Sequence, residues 1–95
     1  MSVQHTVVFR LRPEVAEPAF LDAARAALIP IPGVEDFTIQ RQIGRKSDLT
    51  LQFSMRFADR AVYDAYNAHP AHIAFVSSRW DTDVDAFQEY DFTDL

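Results

Sequence analysis

Alternating apolar and polar residues mark four segments of the chain as β-strands. In the first, VQHTVVFRLR, every second residue from Val3 to Leu11 forms one side, on which His5, Val7 and Phe9 stand together. Period-two patterning rich in β-branched and aromatic residues is typical of a strand with one buried face. VEDFTIQRQI, LTLQFSMRF and VDAFQEYDF are predicted to be strands as well, and GRKSD has the composition of a hairpin loop.

Two segments between these strands have the spacing of amphipathic helices. EPAFLDAARAALIP places Phe20, Ala24 and Leu28 on one stripe, with a proline suited to the first turn and another that stops the helix. Asp59 is expected to cap a second helix through RAVYDAYNAH, and Pro70 to open a further helical segment, PAHIAFVSSRW. The order of elements predicts an α+β, ferredoxin-like βαββαβ fold, with both helices on one face of a four-stranded antiparallel sheet.

Length and composition limit what this domain does. We predict one domain, residues 1–95, and a hydrophobic content of 48% in so short a chain indicates that a second copy covers part of its surface. The expected assembly is a homodimer whose sheets pack face to face into a dimeric α/β barrel around a central pocket. The acids near the end are expected to form a solvated face: Asp81, Asp83, Asp85, Glu89, Asp91 and Asp94.

Charge and residue usage argue against several other classes of protein. The net charge is −5 and no basic stripe is present, so no nucleic-acid partner is expected. The absence of cysteine excludes disulfides, thiol chemistry and cysteine-based zinc sites. No segment has the pattern of a signal peptide or approaches the roughly 20 apolar residues of a membrane span. The expectation is a cytoplasmic protein with no membrane partner.

The segment YDAYNAHPAHIAF concentrates the candidate chemistry of the chain. His69 and His72 are close enough in sequence to reach one metal ion, but zinc takes at least three protein ligands and no third is evident, so no metal site is predicted. His69 falls at a helix end, where the macrodipole favours an imidazolium. His72 as a base and Tyr66 as a donor to an oxyanion would support acid–base chemistry beside a carbonyl if both face one cavity.

His5 adds a polar group to the apolar face of the first strand, where it needs a hydrogen bond or a cavity. The residues by themselves leave the alternative open that all three histidines are capping or core-edge residues.

Four motifs in order, HTVVFRLRPE, IPGV, AYNAHPAH and YDF, make the chain resemble the stress-responsive A/B barrel (dimeric alpha-beta barrel) family from about Val3 to Phe92. The resemblance implies ferredoxin-like subunits that pair sheet to sheet. The family includes plant stress proteins and olivetolic acid cyclase, an enzyme without a cofactor that uses a histidine base and a tyrosine partner. By resemblance these roles fall on His72 and Tyr66 and a pocket histidine on His5, whereas a further pocket histidine is replaced by Leu51.

Two functions are therefore expected as alternatives. The first is a cyclase-, aldolase- or isomerase-type enzyme without a cofactor, which acts on a small apolar carbonyl compound through His72 and Tyr66. The second is a non-catalytic stress-response or small-ligand-binding dimer whose histidines are structural. In either case the pocket is expected to be lined by His5, Val7, Phe9, Phe53 and Phe75.

Overall fold

The strands and helices occur in the predicted order. The structure is a computed structural model that describes residues 1–95. Its main elements are β1 (Val3–Leu11), α1 (Glu17–Leu28), β2 (Glu35–Arg41), β3 (Leu51–Phe57), α2 (Arg60–Ala68), α3 (Pro70–Phe75) and β4 (Val84–Phe92). After α3 the chain forms a π-helix, Val76–Trp80, and a short helical turn, Asp81–Asp83. No helix combines the length and apolar character needed to cross a membrane.

The four strands form one antiparallel sheet in the order β2-β3-β1-β4, which confirms the ferredoxin-like prediction. In the register of the central strand β1, His5 lies opposite Met55 of β3 and Asp91 of β4. Directly opposed residues of neighbouring strands point to the same face of a sheet. The face that carries His5 is the one against which the helices pack, so Met55 and Asp91 also face the helices.

Two aromatic clusters fill the space between the helices and the sheet. The first, around the completely buried rings of Phe9 and Phe20, also contains Phe53, Phe75 and Trp80. The second surrounds the buried ring of Phe57 and consists of the side chains of Tyr63, Tyr66, His5 and His72. Burial of these large rings removes apolar area from water and so stabilises the fold.

The other face of the sheet is uncovered in a single chain. It carries many polar side chains, including Gln4, Thr6 and Gln88, but Tyr90 and Phe92 of β4 stack there with ring centroids 5.9 Å apart. Tyr90 is 44% exposed and Phe92 is 53% exposed. These two rings are therefore apolar surface available to another molecule.

Gly33, in the turn between α1 and β2, is expected to tolerate no side chain. Its φ of 90° lies where other residues are strained, and an added Cβ would overlap Cγ1 of Val62 in α2. We expect Gly33→Ala to reduce the free energy of unfolding by about 1–3 kcal/mol. Gly44→Ala is the matched control because its new Cβ would meet only the flexible Oε1 of Gln42, at 2.8 Å. Denaturant unfolding of both variants measures the difference, and equal losses would contradict the strain at Gly33.

Candidate active site

A cavity lies between the sheet and the helices, where the two aromatic clusters meet. Its volume is about 270 Å³, the space of roughly nine water molecules, which suits a small ligand. Its apolar lining residues include Leu28, Phe53, Met55, Phe75, Val76 and Trp80. The polar lining residues are His5, Tyr66, Asn67, His72, Asp81 and Glu89. The lining thus combines apolar bulk with a few polar groups around one small space.

This cavity belongs to one chain. Two of the residues expected at a central barrel pocket, His5 and Val7, are directed by β1 toward the helices and not toward the open face of the sheet. Each subunit of a dimer would therefore contain its own complete cavity.

The junction between α2 and α3 separates the roles of the two neighbouring histidines. Pro70 opens α3, and Nδ1 of His69 accepts a hydrogen bond of 3.0 Å from the backbone N–H of Ala71. His69 therefore caps α3 through its side chain, while its backbone N–H bonds the carbonyl of Tyr66 at the end of α2. His69 does not line the cavity.

His72 is held so that one ring nitrogen is free. Its Nδ1 lies 3.1 Å from the backbone carbonyl oxygen of Asn67, which accepts only, so Nδ1 carries the proton of the neutral ring. Nε2 has no partner within the chain and is left as the basic nitrogen. Burial lowers the pKa of His72 below its ordinary value of 6.5, although the bond to Asn67 opposes this shift. The side chain is thus uncharged at neutral pH, as a general base must be.

Tyr66 lies beside His72 and supplies a hydrogen-bond donor. The two ring centroids are 4.7 Å apart, and Tyr66 is only 2% exposed. Its hydroxyl has no hydrogen-bond partner within the chain, and the residue lines the cavity. Burial, followed by the nearby Tyr63 and Glu89, raises the pKa of Tyr66, so the phenol keeps its proton and can donate it in a hydrogen bond.

A second polar group is built around His5. Oδ1 of Asp91 lies 2.6 Å from Nδ1 of His5 and accepts a hydrogen bond of 2.8 Å from the hydroxyl of Tyr63. Burial, together with the bond to Asp91, raises the pKa of Tyr63, which keeps that hydroxyl protonated. With Nδ1 engaged by the carboxylate, Nε2 of His5 has no partner in the chain. The carboxylate and the phenol thus fix the orientation of a buried histidine on the cavity wall.

The sequence interpretation missed several of these groups. The sequence predicts a solvated acidic face that includes Asp91 and Glu89, but Asp91 binds the buried His5 and Glu89 lines the cavity. No sequence pattern predicts a role for Tyr63 or Asn67. The available signal was the period of two along β4, which places Phe87, Glu89 and Asp91 on one face. That pattern alone does not say which face of the sheet the helices cover.

The structure places four of the five expected pocket residues on the cavity wall: His5, Val7, Phe53 and Phe75. Phe9 is not among the lining residues. Its ring has no exposed surface and packs against Phe53 and Trp80 at centroid distances of 4.7 and 4.9 Å, which makes it a core residue. On β3 the cavity is lined by Phe53 and Met55, and Leu51 is buried outside it. No three His, Asp or Glu side chains are grouped closely enough to hold a metal ion.

Comparison with known proteins agrees with this fold and identifies the family. The stress responsive A/B barrel domain family matches residues 3–94. A Dabb family protein of ferredoxin-like fold from Mesorhizobium loti is 44% identical, with a TM-score of 0.94, over 99% of this chain and 97% of that chain. The chain is therefore an α+β domain of ferredoxin-like fold with a cavity between its sheet and its helices. It belongs to the stress responsive A/B barrel domain family.

More distant structures share the fold. A dimeric ferredoxin-like protein of unknown function from Thermobifida fusca has a TM-score of 0.81 at 17% identity, covering 97% of this chain and 90% of that chain. The hydroxynitrile lyase from Passiflora edulis has a TM-score of 0.85 at 12% identity, covering 96% of this chain and 91% of that chain. No curated protein is similar enough to this chain to count as a match. The fold thus occurs both in an enzyme and in dimers without a known function.

Proposed function

We propose that this protein is a cofactor-independent enzyme of the cyclase, aldolase or isomerase type, which removes a proton next to the carbonyl group of a small apolar compound. The observation that carries the proposal is the pairing of His72 and Tyr66 on one cavity. His72 offers a neutral ring with an unpartnered Nε2, and Tyr66 offers a protonated hydroxyl with no partner in the chain. These are a base and an oxyanion donor, the two groups that enolate formation requires.

The proposed step is written from these two side chains. The carbonyl oxygen of the substrate accepts a hydrogen bond from the hydroxyl of Tyr66, and Nε2 of His72 takes a proton from the adjacent carbon. The C–H bond breaks, an N–H bond forms, and the electron pair moves through the new C=C bond onto oxygen. The imidazolium keeps its bond from Nδ1–H to the carbonyl of Asn67, and the enolate then attacks a second carbonyl or is reprotonated at carbon.

Proton exchange in heavy water tests this step without knowledge of the natural substrate. Small ketones such as acetone and acetophenone are incubated with the protein, and NMR follows replacement of the hydrogens beside the carbonyl by deuterium. We expect exchange above the buffer rate, because the base and the donor act on any ketone that enters the cavity. Binding of these ketones without any exchange would contradict catalysis by His72.

That negative result would favour the second candidate, a non-catalytic protein that binds small apolar ligands. The observation that supports this second function is the cavity itself, whose largely apolar lining would bind such a compound without any reaction. Binding and exchange measured on the same sample separate the two functions.

We also propose that the protein forms a homodimer through the open face of its sheet. The related protein from Thermobifida fusca is described as dimeric, and Tyr90 and Phe92 give this face an exposed apolar pair. Two sheets of this kind would cover one another's rings.

Replacing Tyr90 and Phe92 together with lysine should convert the dimer to a monomer of 10.8 kDa, because the change removes apolar contacts and places like charges at the interface. Ile29 and Ile73, which are exposed on the helical side, provide the matched double lysine control and should leave the dimer intact. Sedimentation at micromolar concentration gives the mass. A monomeric wild type would contradict the dimer, and a dimeric lysine variant would contradict this choice of face.

A further inference from the structure

The cavity wall carries negative side chains and no positive one. Glu89 and Asp81 both line the cavity, and neither forms an ion pair. None of the nine lysine and arginine residues of the chain lines it. A carboxylate ligand would therefore meet two like charges and would lack the bidentate partner that arginine provides for such groups.

The charge of Glu89 acts inside the cavity. The residue lies opposite Val7 in the β1–β4 register, on the face that the helices cover. Burial is the main cause of the raised pKa of Tyr66, and Glu89 adds to it; burial lowers the pKa of His72, and Glu89 opposes that change. Glu89 is exposed, so water screens its charge in part, but the charge still acts on both of these rings of the cavity wall.

His72 does not neutralise these carboxylates. Since burial lowers its pKa, the ring is uncharged at neutral pH and offers an anion no charge–charge attraction. The remaining wall is largely apolar, with Phe53, Phe75 and Trp80 available to contact the body of a ligand. The cavity therefore favours a molecule with an apolar body and an uncharged polar group.

We propose that the cavity selects uncharged aldehydes and ketones over carboxylates of the same size, and that Glu89 and Asp81 determine this specificity. The inference rests on the proposed function and narrows its substrate class. Acids enter the cavity poorly because they bring a third negative charge next to these two carboxylates. A cavity volume of about 270 Å³ limits the substrate to a small molecule.

Acetophenone and benzoate test this specificity because they share a phenyl ring and a similar size. Acetophenone carries an uncharged methyl ketone where benzoate carries a charged carboxylate. Ligand-observed NMR at neutral pH measures both dissociation constants. We expect the wild type to bind acetophenone at least about tenfold more tightly than benzoate. The double variant E89Q/D81N should strengthen benzoate binding relative to acetophenone binding by about tenfold. The control E14Q/D64N removes the same number of charges away from the cavity and should change neither constant.

Equal affinity of the wild type for the two compounds, or an unchanged ratio of the two affinities in E89Q/D81N, would overturn the inference.

Quenching of tryptophan fluorescence provides a second measurement that needs no ligand to bind. Trp80 is the single tryptophan of the chain and lines the cavity. E89Q/D81N should raise quenching of Trp80 by iodide by about twofold and leave quenching by uncharged acrylamide unchanged. Unchanged iodide quenching would overturn the inference even if ketones bind. If iodide quenching rises but no ketone binds, the charge selection is supported and the proposed function is contradicted.

Discussion

Replacing His72 with alanine is expected to reduce the rate of proton exchange in small ketones by about 10²- to 10⁴-fold. The side chain removed is the base, whose free Nε2 results from the bond between Nδ1 and the carbonyl of Asn67. Tyr66→Phe should lower the rate by about 10²-fold, because it removes only the donor to the oxyanion. NMR of the exchanging ketone hydrogens measures both. Full exchange in the alanine variant would remove His72 from the mechanism.

His69→Ala is the matched control for this prediction because it changes the neighbouring histidine. It removes the hydrogen bond to the N–H of Ala71, so the free energy of unfolding should fall by about 1 kcal/mol while exchange continues at the wild-type rate. His72→Ala should show the reverse pattern, with exchange lost and the melting temperature nearly unchanged. If both variants lose stability and neither loses exchange, the histidines are structural and the non-catalytic candidate is favoured.

The pH dependence of exchange has a definite sign. His72 acts as a base only when neutral, and burial lowers its pKa below 6.5, so activity should persist below the pH at which an exposed histidine is protonated. The unfolded chain binds a proton at His72 more readily than the folded chain does. The contribution of this group to stability is therefore complete above about pH 6.5 and is lost as the pH falls from there through the lowered pKa of the folded state.

Replacing Phe9 with alanine should lower the free energy of unfolding by about 3–5 kcal/mol, a large part of the 5–15 kcal/mol of a typical domain. The ring has no exposed surface and contacts Phe20, Phe53 and Trp80. Its removal therefore leaves a packing cavity that the surrounding side chains fill only in part. Denaturant unfolding at one protein concentration measures the loss and keeps the contribution of dimerisation constant.

Phe87→Ala is the control because Phe87 lies directly opposite Phe9 on the neighbouring strand, on the same face of the sheet. It is 50% exposed and should cost less than about 1 kcal/mol. A similar loss in the two variants would contradict the assignment of Phe9 to the core.

At the junction between α2 and α3, local sequence rules predict the ends of the helices but not every role of the residues between them. Asp59 caps α2 through the N–H of Val62, and Pro70 starts α3, as the capping and proline rules predict. The same rules placed His69 at a helix end, but they did not reveal that it caps the following helix as an acceptor. Which helix a junction residue serves depends on how the chain turns between the two, and that turn is set by the packing of both helices on the sheet.

In the candidate site, the same local rules do not predict contacts between residues that are distant in the sequence. His72 and Tyr66 stand out because they are close together in the sequence, whereas Asp91 is 86 residues from His5 and meets it only through the pairing of β1 with β4. A shift of this pairing by one residue would turn Asp91 to the other face of the sheet. The partner of His5 was therefore not visible in any local pattern.

By itself, the sequence determined the order of the strands and helices, the break at Pro70 and the apolar face of β1, because each depends on residues close together in the chain. Only the tertiary structure decided that the cavity lies under the helices of one chain and that Phe9 belongs to the core. It also decided that Glu89 lines the cavity and that Asp91 binds His5. These outcomes depend on strand register and on which face the helices cover, and long-range packing sets both.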